Sequence, residues 1–185
     1  MDLLVSYSWG GHLRAKQEIA RVLERLGDPR PRVEKTRVPG VCAVHTCLDS
    51  RDVVARCREL SATEAMFRFA IKWVPVDYWC ETSLDAIKRL IDERVVPRIG
   101  KQETWAMEVR KRGWEKYHTA EIIQHLTAGI EGQVDLRRPH KLIRVDILGV
   151  STAVSLLRPG EVFSISQTAR AAATAAADRA SPSAA

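Results

Sequence analysis

The stretch Thr119–Leu157, TAEIIQHLTAGIEGQVDLRRPHKLIRVDILGVSTAVSLL, changes its apolar period within one unbroken segment. Ile122, Ile123, Leu126 and Ile130 recur at helical spacing. In LIRVDIL the period shortens to two, which puts Ile143, Val145 and Ile147 on one face of a strand; TAVSLL supplies a second strand after the tight GVS turn. Between helix and hairpin lies VDLRRP, where Asp135 reads as a turn-forming residue, since an aspartate beside such a bend bonds local backbone.

Working upstream, TWAMEVR alternates Trp105, Met107 and Val109 against Ala106, Glu108 and Arg110, the pattern of a half-buried strand. Before it, Leu84, Ile87, Ile91 and Val95 share one side of a helix, with Thr82 and Asp85 as a capping-box variant at its start. The first eighty residues have their own logic. A strand at Leu3–Ser8 leads to a helix ending at Gly27, and RVEKTRV and VCAVHTC form a hairpin. Ser50 then caps a helix buried through Val53, Val54, Cys57 and Leu60, and FRFAIKWV makes another strand.

The order βαββαβ predicts a ferredoxin-like unit over residues 1–74, with a second α/β unit over 75–166. The fold class is therefore α+β. After Ile165 no large apolar residue remains in QTARAAATAAADRASPSAA, so residues 167–185 are expected to be a disordered, alanine-rich tail.

The chain carries 29 Lys+Arg against 23 Asp+Glu among its 185 residues, a formal charge of +6 that favours polyanionic partners. No apolar run reaches the roughly 20 residues of a membrane helix, and the N-terminus has no basic leader, so a soluble, cytoplasmic protein without a membrane partner is expected. Cys42, Cys47, Cys57 and Cys80 contain no C-x-x-C pair and read as core-filling thiols. The five histidines show no ligand spacing, so no metal or cofactor is expected. Gly10 and Gly11 precede a helix, but neither G-x-G-x-x-G nor G-x-x-x-x-G-K-[ST] surrounds them, and a tight turn explains them better than a nucleotide site.

The cations cluster. Arg110, Lys111, Arg112 and Lys116 stand against Glu115 just before a helix start, where free backbone N–H groups attract anions. Trp114 and Tyr117 offer flat faces on which an unpaired base could stack. A second acid-free cluster holds Arg137, Arg138, Lys141 and Arg144 just after that helix, and Arg30, Arg32, Lys35 and Arg37 make a weaker third. The alternative at each is an ordinary solvated surface with Trp114 folded back on the core.

Over Trp73–Ser164 the order of motifs, WVPVDYWCETSLDAIKRLI, WAMEVRKRG and then the opening stretch, resembles a THUMP domain. Val134, Asp135, Leu136 and Pro139 match that family's V-D-L-x-x-P turn. The resemblance implies a ferredoxin-like domain ahead of the module and binding of tRNA at its acceptor end. Neither the S-G-G-x-D-S loop of the 4-thiouridine synthetases nor a methyltransferase domain follows in this sequence. In that respect, and in VPVDYWC, the chain is similar to stand-alone adaptors that partner an RNA cytidine acetyltransferase. The resemblance thus implies a non-catalytic tRNA-binding protein with tRNA and a modifying enzyme as partners. It points to Arg110, Lys111 and Arg112 as contacts, to which physical reasoning adds Trp114, Lys116, Tyr117, Arg137, Arg138 and Lys141. The alternatives are a subunit of a split tRNA thiolation or methylation enzyme, and a scaffold for an acidic protein surface.

Overall fold

Strand alternation in β1, Leu3–Tyr7, decides the layering of the computed structural model, which describes residues 2–8, 10–63 and 66–165. Leu3, Val5 and Tyr7 pack beneath helices, while Leu4 points the other way into a separate apolar cluster. A strand covered on both faces needs apolar residues at successive positions, which is what LLV provides. Helix α1, His12–Leu26, buries Ala15, Ile19, Val22, Leu23 and Leu26 along one stripe. It ends at Gly27, whose φ of +105° lets its N–H turn back toward the carbonyls of Leu23 and Glu24.

The hairpin follows as β2, Arg32–Lys35, and β3, Val41–His45, in register with Arg32 opposite His45. Helix α2, Ser50–Thr63, buries Val53, Val54 and Cys57. Its cap differs from the sequence expectation. Asp49, one residue earlier than Ser50, accepts the N–H groups of Arg51 at 2.8 Å and Asp52 at 3.0 Å. A carboxylate at the positive end of a helix outbids a hydroxyl inside its first turn. Asp49→Ala should therefore cost about 1 kcal/mol in urea unfolding, and Ser50→Ala distinctly less; the reverse order would restore Ser50 as the cap.

Strand β4, Ala70–Pro75, completes a sheet in the order β2-β3-β1-β4, antiparallel throughout, so the ferredoxin-like arrangement is present. The outer edge of β4 is covered by a late segment, β9 at Phe163–Ser164, which pairs Phe163 with Trp73 and Ser164 with Lys72.

The second sheet opens with an additional strand beyond those expected, β5 at Tyr78–Glu81. Helix α3, Leu84–Leu90, continues through a π turn at Ile91–Val95 and a 3-10 turn at Val96–Arg98, keeping Ile87, Ile91 and Val95 buried. Its cap is Ser83, whose hydroxyl accepts the Ala86 N–H at 3.1 Å; Thr82 instead meets the Thr152 hydroxyl at 2.9 Å. Strand β6, Trp105–Arg112, and β7, Lys141–Leu148, are parallel and joined by α4, Thr119–Thr127, the crossover that a parallel pair requires. Strand β8, Ser151–Leu157, returns antiparallel, giving the order β5-β8-β7-β6.

Ile143, Val145 and Ile147 face α3 and α4, while Leu148, Ala153 and Leu157 turn to the opposite side and meet Leu4, Val41 and Val74 of the first sheet. The helices thus lie outside and the two sheets face each other across an apolar seam. Polar clamps reinforce it: the Ser155 hydroxyl donates to the Pro75 carbonyl at 2.6 Å, and Asp77 accepts the Leu156 N–H at 2.7 Å. No helix among the described residues is long and apolar enough to cross a membrane. The tail expected over 167–185 lies outside the described residues.

Candidate nucleic-acid interface

Where the apolar seam ends, the two sheets part to leave a cleft of about 810 Å³. Seven cationic side chains and the single carboxylate of Glu108 line it. Leu142, Leu157 and Val162 supply apolar wall. Its cations come from distant parts of the sequence: Arg58 on α2, Lys72 on β4, Arg110 on β6, Arg144 on β7, and three from connecting loops.

The floor is a charge network on the inner face of the second sheet. Arg144, 5% exposed, donates to Asp146 at 2.6 and 3.1 Å and to Glu108 at 2.8 Å. Arg110 binds the other Glu108 oxygen, Nε to Oε1, at 2.8 Å. Burial alone would raise the Glu108 carboxyl, but the Arg144 charge and the Arg110 hydrogen bond outweigh it and hold Glu108 below its ordinary range. Burial would likewise depress Arg144, yet Asp146 and then Glu108 hold its guanidinium more firmly protonated than usual.

Arg137 and Arg138 reach the cleft from the V-D-L-x-x-P turn. Asp135 Oδ1 accepts both their backbone N–H groups, at 2.9 and 3.0 Å, the turn-forming role that the sequence suggests. The turn is in turn hooked onto β6 through the Asp135 N–H to Trp105 carbonyl bond at 3.0 Å. On the opposite wall, Arg58 donates to the carbonyls of Gly160 and Val162, pinning the segment that carries Arg158.

Of the nine residues expected at the site, Arg110, Arg137 and Arg138 line this cleft. The others go elsewhere. The pleat of β6 sends Lys111 to the face opposite Arg110, where its ammonium donates to the Tyr117 carbonyl at 2.7 Å and lies 3.6 Å from Glu115. Arg112 is exposed at the end of β6, just before Gly113. Gly113 has a φ of +68°, and a Cβ there would come within 3.2 Å of Val38 in the β2–β3 loop. Trp114 and Tyr117 are half-buried against the core under the helices, tilted at 57° with ring centroids 5.4 Å apart, and the Lys116 ammonium lies 5.3 Å over the Tyr117 ring. Lys141 is buried, with its ammonium 3.6 Å from Glu103. The basic loop is therefore not one ledge; it is divided between two surfaces, and Lys111, Trp114, Lys116 and Tyr117 are engaged within it or against the core.

The cleft residues missing from that expectation are Lys72, Arg58, Arg158 and, as a site residue, Arg144. Arg144 was visible within a basic cluster, but Lys72 and Arg58 belong to the other sheet layer and carry no local signal.

No family model matches the chain. An uncharacterized protein of Methanocaldococcus jannaschii is 36% identical over 87 residues, which cover 45% of this chain and 24% of that one. The chain thus matches about a quarter of the length of this curated relative. Among solved structures, PH1313 from Pyrococcus horikoshii superposes with a TM-score of 0.58 at 12% identity, over 85% of this chain and 55% of that one. TrmN from Thermus thermophilus gives 0.58 at 16% identity, over 86% and 47%. A possible methylase from Clostridium difficile gives 0.55 at 16%, over 84% and 40%. The fold is THUMP-like. These comparisons also correct the expectation of a non-catalytic chain. Solved structures that share this fold include that possible methylase and a predicted N6-adenine-specific DNA methylase from Listeria monocytogenes, and the shared part is about 40% of each, so the fold gives no ground for setting catalysis aside.

Proposed function

We propose that this chain binds tRNA, holding its acceptor end in the cationic cleft between the two sheets and delivering it to nucleotide-modifying chemistry. The reading rests chiefly on the cleft itself, where seven cations face one lining carboxylate. Such an excess, drawn from both sheets around a nucleotide-sized volume, suits a phosphate backbone followed into a concave site. Selectivity then comes from shape and from the unpaired end rather than from base-edge readout. In its finer form, the proposal makes an RNA cytidine acetyltransferase the modifying partner, with residues 1–74 and 75–166 as the two cooperating units. Methyl or sulfur transfer is the second reading, its methyl form favoured by the possible and predicted methylases among the structural neighbours. Assays of tRNA with acetyl, methyl and sulfur donors, each with native extract as the source of partner, separate these readings.

The binding site itself is tested by salt dependence. Arg110→Gln, Arg137→Gln and Arg138→Gln together remove three ionic contacts and should flatten the slope of log K against log salt by roughly 2 for single-stranded contacts. The same replacements at Lys111, Arg112 and Lys116 should change it less, because the Lys111 ammonium is already engaged. An unaltered slope in the first variant, with its circular dichroism and melting temperature intact, rejects the cleft.

A further inference from the structure

Lys72 differs from the other deeply placed cations of this fold. Arg51 meets Asp77 and Glu161, Arg144 meets Asp146 and Glu108, and Lys141 faces Glu103. The Lys72 ammonium is half-buried in the cleft, yet it makes no ion pair or hydrogen bond among the described residues. The charges that act on it most strongly are those of Arg144, Glu108, Arg110 and Asp146. Both carboxylates are already committed to the two arginines. Burial first, and then the Arg144 charge, draw the Lys72 ammonium below its ordinary pKa.

An unpaired charge at that depth is costly, and folded chains rarely retain one without use. The local sum is positive: Lys72, Arg110 and Arg144 against Glu108 and Asp146 leave 3 − 2 = +1 at the floor, with four further arginines around the cleft. A phosphodiester brings one negative charge, whereas a phosphomonoester brings about 1.5 to 2 at neutral pH together with three acceptor oxygens. The monoester is the better match to an unpaired ammonium ringed by guanidinium groups. Such a group occurs only at a chain end, which needs room for ribose and base on one side alone.

We infer that the floor of the cleft is a phosphomonoester site, with Lys72 as its central donor, that takes the terminal phosphate of an RNA chain. This rests on the RNA-binding reading and narrows it. A tRNA acceptor end carries a terminal phosphate beside the unpaired strand, so one cleft engages both.

The test compares one RNA in three forms, with a 5′-monophosphate, with a 5′-hydroxyl and with a 3′-phosphate, against the full chain and its Lys72→Gln, Lys72→Arg and Arg89→Gln variants. Arg89 is exposed on α3, in the outer helix layer. Loss of the terminal phosphate should weaken binding to the unaltered chain tenfold or more. That preference should vanish in K72Q, persist in K72R and be unchanged in R89Q. Because it removes an unpaired charge, K72Q should melt no lower than the unaltered chain. The form preferred, 5′ or 3′, identifies the source of the phosphate.

Melting shifts with a nucleoside 5′-monophosphate and with the bare nucleoside give a readout independent of RNA binding, with stabilisation expected only from the former and absent in K72Q. Equal affinity for all three RNAs overturns the monoester site while leaving RNA binding standing, and so does a preference that survives in K72Q. If no form of the RNA binds, the RNA reading falls. A monophosphate-specific melting shift lost in K72Q would then retain the anion site, and its absence would remove that as well.

Discussion

Arg144→Met is expected to lower folding stability by about 3–5 kcal/mol, measured as the unfolding free energy in urea at pH 7. The guanidinium is nearly inaccessible; it pairs with Asp146 and also meets one oxygen of Glu108. Methionine fills much of its volume, so the loss is not chiefly a cavity; it is two carboxylates left at the floor of a cleft without their partner. Adding Glu108→Gln and Asp146→Asn should recover most of the deficit, since removing all members of a buried network is far milder than removing one. Acid provides an independent check. Glu108 is held below its ordinary value in the native fold, so its stabilisation is present above the unfolded carboxylate pKa near 4.3 and lost as pH falls through the lower folded value. The gap between R144M and the unaltered protein should therefore narrow at acid pH. A deficit below about 1 kcal/mol at pH 7 would mean that the network relaxes or hydrates and holds nothing together.

Asp77→Ala should cost about 3 kcal/mol and lower the melting temperature by roughly 6–12 °C for a chain of this size. Asp77 stands between β4 and β5 and accepts from both layers. One Nη of Arg51, from α2, reaches its two oxygens at 2.9 and 3.0 Å, and the backbone N–H of Leu156, from β8, comes to 2.7 Å. Alanine leaves that N–H unpaired and Arg51 with Glu161 and the Leu156 carbonyl alone. Asp77→Asn keeps an acceptor for one donor and should lose about half as much. Because Asp77 ties the layers rather than touching the cleft, RNA affinity should also drop in the alanine variant while the salt slope stays as it was. That combination separates a misaligned cleft from a lost ionic contact.

Periodic elements were legible in the sequence because their signals are local. The stripe of α1, its Gly27 stop and the alternation of β7 are written in neighbouring residues. Strand β5 was not: only Val76 and Asp77 separate its four residues from the end of β4, and only pairing with β8 makes them a strand. Strand β9, two residues long, carries no pattern at all. The caps moved by one residue, from Ser50 to Asp49 and from Thr82 to Ser83, because adjacent polar side chains compete for the same N–H groups and geometry alone decides.

The site was legible by halves. A run of cations such as Arg110, Lys111 and Arg112 looks continuous in one dimension, but the alternation recognised in Trp105–Val109 already implies that Lys111 leaves the face that Arg110 occupies. Trp114 and Tyr117, read as stacking surfaces, instead cover the core, the alternative the sequence also allowed for Trp114. Lys72 sits within an ordinary strand pattern and gains its meaning only when the second sheet is laid against it.

The pairing of β9 with β4 builds the first sheet from segments that lie on either side of the second sheet in the chain. During synthesis the outer edge of β4 stays open, a template for stray strand pairing, until Phe163 and Ser164 have left the ribosome. Expressing the first 74 residues alone would make that vulnerable intermediate permanent, with Trp73 deprived of its ladder neighbour, whereas a circular permutant that places the last strand ahead of the first would protect the edge from the outset.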